Sequence, residues 1–157
     1  MANNEKVIGV LNDLVQINND RIKGYEKAIE DSKNEDLGYD SLFDEMIHQS
    51  VQYKRQLIDE INMLGGDADE SSTTNSGKIY RTWMDVKSAF QGHSDKSALE
   101  LCEFGEDAAQ KAYKEALSTD GLTATTRQLL LTQKAKLKES HDLIKKNRDM
   151  QVHAHSR

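Results

Sequence analysis

The sequence predicts an all-α fold, and three observations lead there. Proline is absent from all 157 residues, where average usage of about 5% would place roughly eight. Proline removes a backbone donor and clashes one turn back, so its absence permits long uninterrupted helices. Charged residues make up 31%, hydrophobic residues 36% and aromatic residues only 6%, which suits amphipathic helices with solvated outer faces better than sheets. Apolar residues also recur at three- and four-residue spacing through four long stretches, the periodicity of helices with one buried face.

Each element follows from that spacing. The first helix is expected over 4–32, with Val7, Leu11, Leu14, Ile22, Tyr25 and Ile29 at helical intervals. "KNEDLGYD" is a polar turn closed by Gly38. The second helix, 39–64, carries Leu42, Phe43, Met46, Tyr53, Leu57, Ile61 and Leu64 and stops at Gly65-Gly66, where a residue without Cβ can take the left-handed cap conformation. "DADESSTTNSGK" has loop composition. A short amphipathic helix over 78–90 places Ile79, Trp83, Val86 and Phe90 on one side. "QGHSD" breaks it and offers Ser94 or Asp95 as a cap for the third helix, 95–118. "STDGLT" turns the chain, and Thr123 can cap the fourth helix, 124–149.

The first and third connections are short, which makes two antiparallel hairpins. The link between them is near thirty residues and contains its own helix, long enough to cross a bundle and set the second and third helices parallel. The whole chain, 1–157, reads as one ferritin-like four-helix-bundle domain with a short helix in the long crossover, a simple up-down bundle with an insertion being the lesser alternative.

"YRTWMDVKSAF", "LCEFGEDAAQKAYKEAL" and "SHDLIKKNRD" resemble the signature blocks of a bacterial family of small ferritin-like four-helix-bundle proteins, catalogued as a domain of unknown function. The resemblance covers nearly the whole chain. It implies the fold and implies no activity.

Several function classes are disfavoured. A net charge of −6 argues against a phosphate-binding surface, because counterion release needs clustered Lys and Arg, so no nucleic-acid partner is expected. No apolar run reaches the ~18 residues of a membrane span, and "MANNEKVIGVLNDL" lacks the basic start and apolar core of a signal peptide; a soluble, cytoplasmic protein is expected. Cys102 is the single cysteine and reads as a small core residue.

Candidate chemistry rests on polar residues at core phases. Glu106 falls in the middle of the third helix's apolar face, beside Leu99, Cys102, Ala109, Tyr113 and Leu117. His141 phases within about 30° of the fourth helix's apolar face, and Glu26 about 60° from the first. Asn18 and Gln133 also phase inward. A ferritin-like crossover puts Glu26, Glu106 and His141 at one level, to within about one turn, ~5.4 Å. Three arrangements satisfy this: a Glu106–His141 hydrogen-bonded pair, a metal site of Glu26, Glu106 and His141 taking iron or manganese, or a residue that reaches solvent at a bundle end. Glu45-x-x-His48 has ligand spacing but phases roughly 120–160° away from its helix's apolar face, and Lys138 replaces the glutamate expected three residues before His141. The leading expectation is a non-enzymatic bundle without cofactor, acting through protein contacts as a homo-oligomer or with another protein, in stress physiology. The alternative is metal binding or oxidation at a partial carboxylate–histidine site inside the bundle.

Overall fold

The computed structural model describes residues 2–32, 40–68, 79–81, 83–84 and 98–155. Among them every regular element is helical. Four long helices form the body: α1 (Ala2–Ser32), α2 (Asp40–Met63), α3 (Ala98–Leu117) and α4 (Ala124–His155). Residues 79–81 and 83–84 are also helical. The rest of the expected crossover helix, the Gly38 turn, Phe90, the caps Ser94 and Asp95, and the side chain of Leu99 lie outside the described residues. The fourth helix runs six residues past its expected end at 149, to His155.

Each helix ends for a local reason. At the foot of α2, Gly65 has φ of 86°. Its N–H donates to the Asn62 carbonyl and the Gly66 N–H to the Ile61 carbonyl, the paired bonds of a Schellman cap. A Cβ on Gly66 would lie 2.7 Å from Ile8 Cδ1, so this cap also touches the first turns of α1. The α3–α4 turn uses Gly121 at φ 89°. Thr123 Oγ1 then accepts from the Thr126 N–H at 3.1 Å, capping α4 where sequence places a threonine before an apolar run.

Cross-helix bonds give the chain direction. Asn12 reaches the Asp67 carbonyl while Arg21 reaches Ser50, so α1 and α2 are antiparallel. Asn18 meets Tyr113 and Tyr25 meets Glu106, so α1 and α3 are antiparallel. Glu60 meets Thr126 and Gln49 meets Ser140, so α2 and α4 are antiparallel as well. It follows that α2 and α3 run parallel, as the long crossover requires.

The crossover is latched to α1. Trp83 is buried, and its indole N–H donates to Asp20 Oδ2 at 3.0 Å. The Tyr80 hydroxyl donates to the same oxygen at 2.7 Å. The Tyr80 backbone N–H also bonds to Asp13, whose carboxyl burial pushes up to about 6 against the opposing pull of that bond and of Arg81.

Two apolar clusters fill the interior. The larger gathers Leu11, Leu14, Ile17, Leu57, Leu130 and Leu137 with the Ala-rich face of α3. The smaller holds Tyr25, Phe43, Met46, Cys102 and Ile144. Each fully buried aliphatic side chain stabilises by about 1.5–3 kcal/mol. Between the clusters lies a polar layer.

Two outcomes test these details. Gly65→Ala is expected to lower stability by about 1 kcal/mol in urea titrations, because a Cβ is disfavoured at positive φ. Folded Asp13 keeps its proton to about pH 6 whereas the unfolded chain loses it near 3.8. The folded state therefore binds more protons in that window, and stability falls as pH rises through it. Asp13→Asn is expected to flatten this slope and to raise stability above the window by about 1 kcal/mol, solvent screening having reduced the effect; urea titrations across pH read it.

Candidate functional site

The buried stripes of the four helices repeat at alternating steps of three and four. On α1 the stripe is Val7, Leu11, Leu14, Asn18, Arg21, Tyr25 and Ala28; on α4 it is Thr126, Leu130, Gln133, Leu137, Ser140 and Ile144. Polar residues occupy the middle of each stripe, so folding stacks them at one level.

At the centre stands an ion pair between α1 and α3. Glu106 is 1% exposed and Arg21 is 3% exposed, and Arg21 Nη2 lies 2.6 Å from Glu106 Oε1. The Tyr25 hydroxyl donates to the same oxygen, and the guanidinium carbon sits 5.7 Å from the centre of the Tyr25 ring. Arg21 further donates to Ser50 Oγ at 2.9 Å and to Gln49 Oε1 at 3.2 Å, both on α2. Burial pulls Arg21 down, but the charge and hydrogen bond of Glu106, joined by Tyr25 and Tyr113, together outweigh it and hold the guanidinium above its ordinary value.

The layer extends to α4. Asn18 donates to the Tyr113 hydroxyl, which donates to Gln133 Oε1 at 2.7 Å. Gln133 donates in turn to Gln56 Oε1 at 3.0 Å and to the Tyr53 carbonyl. Ser140 of α4 also joins the layer by donating to Gln49 at 3.1 Å. Two buried atoms of this layer have no hydrogen-bond partner among the described residues, Glu106 Oε2 and Arg21 Nε. They border a cavity of ≈ 10 Å³, lined by Arg21, Tyr25, Trp83, Cys102, Gly105 and Glu106, which is about the size of one water.

The three residues expected to share a site do not meet. Glu26 is exposed, because the α1 stripe centres near Leu14 and Tyr25 and leaves Glu26 about 110° away. His141 lies on a flank, 19% exposed at its side chain, with Nε2 2.6 Å from Asp107 Oδ1. The α4 face centres between Leu137 and Ser140, about 60° from His141. Glu106 therefore pairs with Arg21 and not with His141. A metal at Glu106 does not fit this interior: a fixed guanidinium already supplies the positive charge, and the adjoining space admits no coordination shell. Glu45 and His48 are exposed.

Arg21 escapes a reading that centres α1 on Ile22 and Ile29, which the structure places at partly buried flanks. The signal was the strict sevenfold run of residues 7, 14, 21 and 28 beside 11, 18 and 25. Glu60, the buried acid of α2, continues the 46, 50, 53 and 57 series in the same way and accepts from Thr126 at 2.6 Å. Cys102 is buried, and burial with the neighbouring Glu106 charge pushes its thiol far up, leaving it inert.

Outside this layer, residues of α2 and α4 line an open groove of ≈ 600 Å³. Gln49, Tyr53 and Gln56 belong both to its lining and to the polar layer.

Arg21→Leu is expected to cost about 3–5 kcal/mol, since Glu106 then remains buried without its charge partner. Arg21→Leu/Glu106→Leu is expected to recover most of that loss in the same denaturation experiment. A double-variant loss equal to the sum of the Arg21→Leu and Glu106→Leu losses would show that the two side chains are not energetically coupled.

No curated protein and no solved structure matches the chain. Residues 6–119, which take in most of α1, all of α2, the crossover and α3, match the family model described as Domain of unknown function (DUF2383), and the chain belongs to that family.

Proposed function

We propose that the chain is a non-enzymatic bundle of ferritin-like topology that acts through protein contacts, pairing with a second copy of itself across the α2/α4 groove. Two antiparallel hairpins with parallel α2 and α3 support the topology. The observation that carries the functional reading is Arg21. Its guanidinium matches the Glu106 carboxylate, and the hydroxyls and amides around it bond mainly to one another, so the charge of Glu106 is met by the chain's own cation.

The groove is the surface with capacity for a partner. Glu45 and Glu139 line it together with Lys136 and His48, so both signs are present on one patch. A two-fold interface sets a patch against itself, and mixed charge makes that self-complementary. Leu143, 40% exposed, also lines it and supplies an apolar contact. Among the described residues no helix is long and apolar enough to cross a membrane.

Sedimentation velocity from about 1 to 100 μM is expected to show a monomer–dimer equilibrium. Leu143→Glu is expected to weaken it about tenfold or more while leaving helix content unchanged, since the side chain is exposed in the monomer. A chain that stays monomeric throughout, or a dimer indifferent to Leu143→Glu, would overturn the pairing.

A further inference from the structure

We propose that Glu103 and Asp107 of α3 and His141 of α4 form a site for a first-row divalent cation, zinc foremost, on the outer seam of the α3/α4 hairpin. One ligand atom from each of the three lies within 4.8 Å of the others. Glu103 and Asp107 stand four apart on one helix and so project from one face. The antiparallel partner helix sets His141 against them, in register with Arg148 against Glu103 and Gln110 against the Lys134 carbonyl. The site is independent of the α2/α4 groove and of the interior pair.

The imidazole carries the argument. Nε2 lies 2.6 Å from Asp107 Oδ1 and Nδ1 lies 3.1 Å from Asp142 Oδ1. Both ring nitrogens thus face carboxylates, an arrangement met either by two N–H donors or by one N–H and a cation at the other nitrogen. With a divalent cation at Nε2, Asp142 holds the Nδ1–H, fixing the tautomer as an outer carboxylate does for metal-bound histidine, and Asp107 becomes a ligand. One nitrogen and two carboxylate oxygens suit zinc, with water completing four-coordination. The side chains of Glu103 and His141 are largely covered and that of Asp107 is open, which leaves a face for that water.

Arg148 sets the affinity. Its Nη1 lies 2.7 Å from Glu103 Oε2, so guanidinium and cation share one carboxylate and repel each other. Removing Arg148 should therefore tighten binding, an outcome that a purely structural cluster does not produce.

Calorimetric titration of the full chain with zinc chloride tests the site. His153→Ser/His155→Ser serves as the background, so that the two tail histidines cannot supply the signal. One-to-one binding is expected. His141→Ala and Asp107→Asn should each weaken it at least tenfold and Asp142→Asn about tenfold, with helix content unchanged by circular dichroism. Arg148→Gln should strengthen it severalfold. The proposal is overturned if no saturable binding occurs below about 1 mM, or if affinity is indifferent to both His141→Ala and Asp107→Asn.

Discussion

The rest of the structure depends on a charge that has been taken out of water. Glu106 lies on the inward face of α3, and a carboxylate there costs several kcal/mol unless it is paired and hydrogen-bonded. Arg21 meets that cost from α1, but a guanidinium brings five donors and its own desolvation. Ser50, Gln49 and Asn18 surround it, and the hydroxyls of Tyr25 and Tyr113 join the same layer. One buried charge has thus recruited side chains from all four helices. Such a layer adds little net stability compared with well-packed leucines. Its effect is on register: sliding α1 or α3 by a turn, about 5.4 Å, would strand the pair, and sliding α2 or α4 would strand the hydroxyls and amides bonded around it.

The layer also divides the interior. Below it the small side chains Ala109, Ala112 and Ala116 allow α3 to approach α1 and α4 closely. Above it Tyr25 and Phe43 meet with ring centres 5.9 Å apart, and Cys102 and Ile144 fill the remainder. Helices whose stripes carry polar residues at one height and apolar residues elsewhere can pack in few alternative ways. Position-specific mismatch, rather than the amount of apolar surface, singles out one arrangement.

The all-α class was legible because it rests on local signals: missing proline, three-four periodicity, and paired glycines at the end of α2. Glu106 could be placed inward for the same reason, its neighbours Cys102, Ala109 and Tyr113 being unambiguous. Its partner was harder. Arg21 is a residue type seldom buried, and the bulkier Ile22 beside it draws the apparent face of α1 one position round. His141 shows the converse, since Leu130, Leu137 and Ile144 alone set the α4 face too near it, and the polar members Gln133 and Ser140 correct the angle. Pairing across helices depends on rotations of tens of degrees, which average periodicity does not resolve when polar residues share the buried stripe. The meeting of His141 with Glu103 and Asp107 required the register of the α3/α4 hairpin, a property of the assembled chain.

Trp83 is the chain's single tryptophan, and its tether to Asp20 makes it an optical reporter of one particular event. The indole is buried and bonded to a carboxylate of α1, so its emission changes when the crossover lifts away. Far-ultraviolet dichroism, by contrast, registers the four long helices as a whole. If the latch opens before the bundle melts, the two signals separate along a denaturation curve, and a single unfolding free energy ceases to describe the molecule. If they coincide, the crossover is as much a part of the cooperative unit as the helices it joins.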